Sequence, residues 1–170
     1  MTHESTNIKI AFGGGCHWCT EAVFGSLRGV VEVNQGWIAS EGEDQALSEG
    51  VIVHYDPTQI RLIDLIEVHL HTHSSQSNHR MRGKYRSAIY HFEGLQAGGI
   101  QSAIALLQSS FANPIITQVL PFRAFKPSRE EIAGYYFKNP GKPFCETYIE
   151  PKLRLLQEKF PSLMANRSGA

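Results

Sequence analysis

The chain has 170 residues, the length of one ordinary domain, and its 16 basic and 16 acidic side chains cancel to a formal net charge of zero. Apolar residues at 42% and charged residues at 19% describe a globular chain rather than a disordered one. This balance leaves no electrostatic footprint for nucleic acid or a membrane surface, no apolar run approaches the roughly 20 residues of a membrane span, and the polar first residues lack a signal-peptide pattern, so a cytoplasmic protein is expected.

Residues 8–12 read as a short β-strand, broken by Gly13-Gly14-Gly15. Cys16-His17-Trp18-Cys19 follows. Ala22, Val23 and Leu27 then recur at helical spacing, and Gly29 stands where a C-terminal cap belongs. The cysteine pair therefore falls on the first turn of a helix, at a strand–loop–helix junction. Residues 30–40 form a second strand region, 41–45 a polar loop, and 51–55 a third strand ended by Asp56-Pro57. Thr58 is the expected cap of the next helix, whose buried face is Leu62, Ile63, Leu65, Ile66 and Leu70. Residues 71–84 are a long polar loop, and loops of that length are often functional. A fourth strand (87–92), a helix (95–110) weakened at its start by Gly98-Gly99, and a fifth strand (115–120) follow. Residues 121–129 read as a loop, 130–137 as a short helix, and 150–160 as a final helix with Pro151 in its first turn. Alternating strands and helices predict an α/β or α+β layered fold, one domain over residues 1–170 with an ordered core from about 8 to 160, and leave the strand order open.

Three cysteines, Cys16, Cys19 and Cys145, are an odd number and argue against a static disulfide framework. Cys16 is the sharpest feature. Backbone N–H groups at a helix N-terminus stabilise an anion, which lowers a thiol pKa below its free value of about 8.5, and the glycines before it allow a substrate to approach closely. The Cys16-x-x-Cys19 spacing fits a redox dithiol or half of a zinc site. His69, His71, His73 and His79 are the remaining zinc ligands on paper, but no second Cys-x-x-Cys exists and no metal is expected. Trp18 either lines an apolar pocket beside the nucleophile or belongs to the core, and Trp37 packs nearby. Glu49, just before the third strand, is either a desolvated carboxyl able to act as an acid or an ordinary loop carboxylate. Tyr85 offers a phenolic donor or simply packs. Cys145 follows Asn139-Pro140-Gly141-Lys142-Pro143-Phe144, which reads as a mobile surface loop from which a thiol swings towards a catalytic sulfur.

The run Phe12-Gly13-Gly14-Gly15-Cys16-His17-Trp18-Cys19 resembles the nucleophile motif of the peptide methionine sulfoxide reductase A family, which usually reads Gly-Cys-Phe-Trp followed by Gly or Cys. The resemblance continues through Leu27-Arg28-Gly29-Val30, Gln35-Gly36-Trp37, Glu49 at the family's spacing to Tyr55-Asp56-Pro57, and Lys84-Tyr85-Arg86-Ser87. It extends to Tyr136-Phe137-Lys138-Asn139-Pro140 and Phe144-Cys145, collinear from about residue 8 to 160. It implies a two-layer sandwich around a mixed sheet with a long coiled C-terminal tail, and thiol-dependent reduction of methionine S-sulfoxide, free or in proteins. By the same resemblance Cys16 is the nucleophile, Trp18 and the residue at His17 form the methyl pocket, and Glu49 and Tyr85 serve the sulfoxide oxygen. Cys145 is the resolving thiol, with Cys19 as competitor or relay. No cofactor is implied: thioredoxin or another dithiol supplies reducing equivalents to a monomer.

The departures from the family pattern are specific. His17 replaces the usual Phe, so the methyl pocket is more polar and able to titrate. Trp37 replaces a Tyr, Ile132 replaces a His, and no acidic residue precedes Lys84-Tyr85-Arg86-Ser87, where the family carries an Asp; Asn78 or His79 is the candidate to take its place. Three other readings remain open: a general Cys-x-x-Cys disulfide oxidoreductase, a zinc- or haem-binding module using the cysteines and histidines, and a redox-sensing family member with negligible turnover.

Overall fold

The computed structural model describes residues 6–78, 80–129, 134–139 and 141–165. Among them, six strands form one mixed sheet: β1 (Ile8–Gly13), β2 (Val30–Ala39), β3 (Ser48–Tyr55), β4 (Ala88–His91), β5 (Gln118–Pro121) and β6 (Ala124–Pro127), in the order β5-β4-β1-β3-β2-β6. All neighbours are antiparallel except β4 and β5. That parallel pair is joined through helix α3 (Gly94–Leu107), because parallel strands need a crossover.

Alternation along the strands sorts the two faces. Ile10 and Phe12 of β1, Val51 and Val53 of β3 and Ile89 of β4 face the larger core. There they meet α1 (His17–Gly25) through Ala22, Val23 and Phe24, α2 (Leu62–Thr72) through Leu65, Ile66 and Leu70, and α3 through Ile100 and Leu107. Helix α5 (Glu150–Lys159) closes this layer with Leu153 and Leu156. The opposite face carries a smaller cluster, Ala11, Ile38, Ile52, Ala88 and Tyr90, covered by Phe92, Leu120, Phe122 and Phe125. Helices thus line one face of the sheet, giving the two-layer α/β sandwich that the family resemblance implies.

Several elements differ from expectation for identifiable reasons. Strand β3 begins at Ser48, so Glu49 lies within the strand rather than before it. Its first residues are zipped to the chain at 84–86: Glu49 N–H donates to Lys84 O (3.0 Å), Ser48 Oγ donates to the same carbonyl (2.9 Å), and Arg86 N–H donates to Ser48 Oγ (2.8 Å). Helix α2 starts at Leu62 with Arg61 as its cap, because the Asp64 carboxylate reaches back to the Arg61 N–H (3.1 Å). Thr58 is held instead in a turn on Asp56 Oδ1, by its N–H (2.9 Å) and its hydroxyl (2.7 Å). The expected loop at 121–129 contains β6, an edge strand of Ala-Phe-Lys-Pro whose proline hides it from pattern reading. Of the expected helix at 130–137, residues 130–133 lie outside the described residues, and α4 (Tyr135–Lys138) accounts for the rest.

Cys145 is the largest correction. It sits fully buried at the start of a π-helical turn (Cys145–Ile149) leading straight into α5, not on a mobile surface loop. Phe144, Ile149 and Leu153 carry that segment into the main core, and apolar burial of this kind overrides the loop-like composition of residues 139–143. No helix of the described residues is long and apolar enough to cross a membrane.

Candidate active site

The first backbone N–H groups of α1 have no helical acceptors, and those of His17, Trp18 and Cys19 find other partners before the helical bonds begin at Thr20. Cys16 is the N-cap residue (φ −56°, ψ 129°). The His17 N–H points to Glu49 Oε1 (3.4 Å). Those of Trp18 and Cys19 serve the Cys16 sulfur. Thr20 N–H donates to Cys16 O (3.1 Å). A thiol and a carboxyl thus converge on one helix N-terminus, whose partial positive charge favours the thiol as an anion.

The Cys16 thiol is pulled down to about 7, chiefly by the Cys19 S–H donating to it, with the Trp18 and Cys19 amides adding to the effect; burial and the Glu49 carboxylate push the other way. Cys19 is pushed far up because it holds the shared proton and is buried. The pair is therefore asymmetric: Cys16 half-buried and acidic, Cys19 buried and protonated. Cys145 is also buried, its thiol donates to Asn139 O (3.3 Å), and burial raises it. The π-helical turn it opens passes close to Cys19, whose sulfur lies 4.0 Å from Tyr148 O. All three thiols are free.

Glu49 is 6% exposed. Strand periodicity puts it on the same face as Val51 and Val53, beneath the start of α1. Its register partner across the sheet is Trp37, so those side chains are neighbours. His17, 4% exposed, fills the space between them: its ring meets Trp37 edge-on (5.1 Å between centroids), Nδ1 contacts Gly36 O (2.9 Å), and Nε2 lies 3.4 Å from Glu49 Oε1. A side chain on Gly36 would collide with Lys126 O and the Phe125 ring, so the close packing of β6 on β2 requires glycine here. The other carboxyl oxygen, Oε2, faces Lys84 Nζ (3.7 Å), whose ammonium also lies over the Tyr85 ring (5.1 Å). Trp18 packs edge-on against Phe144 (5.2 Å), beside Cys145.

A profile of the peptide methionine sulfoxide reductase family matches residues 8–163. A peptide methionine sulfoxide reductase MsrA from Acinetobacter baumannii (strain AYE) is 34% identical over 170 aligned residues, covering 91% of this chain and 97% of that one. The chain belongs to the peptide methionine sulfoxide reductase family. Its fold is shared by methionine sulfoxide reductase A of Corynebacterium diphtheriae (TM-score 0.68, 24% identity, 82% of this chain and 78% of that one). It is also shared by Mxr1 from Saccharomyces cerevisiae, solved in complex with Trx2 (TM-score 0.59, 21% identity, 79% and 88%).

Within this family the chain's own residues occupy the departures in a definite way. His17 and Trp37 form one contact with Glu49, so two substitutions read separately in the sequence are one structural unit. Asn78 is exposed and lines a cavity of about 440 Å³ with Asp44, Arg82 and Arg86, away from the cysteines; His79 and Ile132 lie outside the described residues. Within the 71–84 loop the contacts are made instead by Arg82, which sequence reading passed over. Its guanidinium donates to Gly14 O (2.9 Å), Tyr85 O (3.0 Å), Ser77 O (2.9 Å) and Ser74 O (2.5 Å), clamping the glycine loop to the Tyr85 segment. Arg86 is likewise structural, bonded to Asp44 (3.2 Å), Tyr90 (3.0 Å) and Ala46 O (2.5 Å). Lys152 of α5 was also missed. Its ammonium donates to Thr72 O and lines, with Cys19, His69 and His73, a cavity of about 20 Å³. Only the presence of a lysine among the apolar positions of α5 signals it in the sequence.

Proposed function

We propose that this protein reduces methionine S-sulfoxide, free or in proteins, to methionine, with Cys16 as nucleophile. The observation that carries this reading is the convergence of an acidified thiol and a buried carboxyl on the N-terminus of α1. The Cys16 thiolate attacks the sulfoxide sulfur while the oxygen takes a proton from the Glu49 side, and Tyr85 donates a second hydrogen bond to it. Methionine leaves reduced by two electrons, and Cys16 is left as a sulfenic acid. Cys19, already bonded to Cys16, condenses with it, forming the S–S bond and releasing water; Cys145 is the alternative resolving thiol. A thioredoxin-like dithiol then restores both thiols by exchange. The yeast relative's complex with Trx2 supports a reductant of that class.

The test is single-turnover reduction of methionine S- and R-sulfoxide by the reduced protein, followed by mass analysis of its disulfides. Methionine from the S form alone, with one Cys16-containing disulfide and none in Cys16→Ser, is the expected result. A second reading, thiol–disulfide exchange on other proteins, is favoured by the asymmetric Cys16–Cys19 pair. It predicts insulin reduction that survives Glu49→Gln, whereas sulfoxide reduction falls about 100-fold or more when that acid is removed.

A further inference from the structure

His17 Nε2 and Glu49 Oε1 face each other across a buried contact of 3.4 Å. Gly36 O only accepts, so the 2.9 Å contact from His17 Nδ1 is a donated N–H, and Nδ1 carries a proton. The opposite nitrogen, Nε2, then faces Glu49 Oε1 at 3.4 Å. If Nε2 and the carboxylate were both bare, two lone pairs would oppose each other at a buried site. One further proton between them removes the conflict, either on Nε2 as an imidazolium or on the carboxyl.

The surrounding charges favour the same arrangement. The Cys16 thiolate and the Glu49 carboxylate share one helix N-terminus and repel each other. On the opposite side of the carboxyl stands Lys84, most of it in solvent, with Tyr85 beneath its ammonium; Lys126 lies over the outer part of the Trp37 ring (5.9 Å). His17 is the buried imidazole that faces the carboxyl of Glu49.

We propose that His17 and Glu49 hold one proton in common and that this pair, rather than Glu49 alone, delivers it to the sulfoxide oxygen. The proposal rests on the reductase reading and deepens it. In the step, the Cys16 thiolate, the sulfoxide and the shared proton become Cys16 sulfenic acid and methionine. The S–O bond of the substrate breaks, the Cys16 S–O bond forms, and the substrate sulfur gains the two electrons that the Cys16 sulfur loses. The pair is left one proton short and recovers it from solvent before the next turnover. His17 acts through Glu49 as a positioning residue. The Nδ1–Gly36 bond and the Trp37 edge contact fix the ring so that Nε2 faces the carboxyl.

The experiment is the pH dependence of single-turnover methionine formation in the wild type, His17→Phe and His17→Gln. Phe is the family's usual residue here, and Gln can still donate to Gly36 O but holds no mobile proton. Both variants are expected to lose about tenfold or more in rate at neutral pH. The deficit should widen as pH rises, because Glu49 must then draw its proton from a solvent that supplies fewer. Alkylation of Cys16 by iodoacetamide should change by less than about twofold, since neither variant removes the donors to its sulfur. A His17→Phe profile that superimposes on the wild type overturns the proposal. If the wild type forms no methionine, the reductase reading fails, and the pair is judged by ¹⁵N NMR of the ring. Protonated Nδ1 at every pH, with an Nε2 proton whose loss is displaced by Glu49→Gln, supports it. A neutral ring protonated on Nε2 overturns it.

Discussion

Histidines lie on both sides of the Gly13–Cys16 loop, and the two sides do opposite things. In front, His17 faces a carboxyl across a contact with a proton to spare. Behind, His69 and His73 stack on each other (4.1 Å) with every proton spoken for. His69 Nε2 donates to Gly13 O (2.8 Å), and His73 Nδ1 donates to His69 O (2.5 Å). His73 Nε2 is then bare and accepts from Ser87 Oγ (2.8 Å), which in turn accepts from Thr117 Oγ1 (2.8 Å). Burial drives both rings towards neutrality, His73 down to about 4 and His69 well below its ordinary range. The same side chain is mobile chemistry where its partner is a carboxylate and a fixed strut where its partners are carbonyls. Local partners decide, not residue type.

The rear side should fail by losing stability, and most sharply at Gly14. Its φ of +154° is a glycine conformation, and a side chain there would be driven into the His73 ring. Gly14→Ala is expected to cost roughly 3 kcal/mol in urea unfolding, the sum of backbone strain and overpacking. Gly15→Ala, one residue on, meets nothing within 4 Å and should stay within about 0.5 kcal/mol of the wild type. Equal effects at the two positions would mean that the His69–His73 stack does not brace the loop.

Acid sharpens the contrast. The folded-state pKa of His73 is depressed, so the unfolded chain takes up its proton first. Stability is unaffected above about pH 6.5 and falls as pH drops from there towards 4. His73 alone accounts for up to about 3.5 kcal/mol over that window, because its proton affinity falls by between two and three tenfold steps worth about 1.4 kcal/mol each. His73→Asn should start less stable at pH 7 yet lose less between pH 6.5 and 4, as read by urea midpoints at each pH. A slope identical to the wild type would show that the ring is hydrated in the native state.

The thiols extend the comparison to the reactive side. Cys19→Ala removes the main donor to Cys16, so the midpoint of Cys16 alkylation should climb from about 7 by one to two pH units towards the ordinary thiol value. Cys145→Ala removes a thiol bonded to Asn139 O instead, and the Cys16 midpoint should remain at about 7. A shift in the second variant but not the first would transfer the pairing to Cys145.

How much of this was legible beforehand follows the same divide. The front residues Cys16, Cys19 and Glu49 stand in motifs whose spacing carries meaning, and the alternating pattern of β3 places Glu49 on the face of Val51. The rear network was not legible. His69 and His73 entered the sequence reading only as zinc ligands on paper, because a sequence does not say that the end of a helix packs against a distant glycine loop. Arg82 and Lys152 were passed over because they end on carbonyls at 14, 72, 74, 77 and 85, contacts that exist only once distant segments are packed. Cys145 misled for the opposite reason: its neighbours Pro143 and Gly141 are loop formers, and the tertiary burial of Phe144 and Ile149 outweighs them.

The smallest expected effect belongs to a charged side chain that touches both regions. Lys152 lines the small cavity with Cys19 towards the front and His69 and His73 towards the rear. Its charge favours ionised Cys19 and disfavours protonation of both rings, while burial depresses its own pKa. Lys152→Met keeps the apolar stem and removes only the charge, so two changes of opposite sense should appear together. Disulfide formation after sulfenic acid should slow by roughly two- to fivefold, because the Cys19 proton becomes harder to remove. The acid slope assigned to His73 should become shallower, because the ring takes up its proton at a higher pH once the neighbouring cation is gone. Lys152→Arg, retaining the charge, should restore both. A slower disulfide step with an unchanged acid slope would mean that the charge is felt only on the cysteine side, and the loop would then insulate the two histidine regions electrostatically as well as chemically.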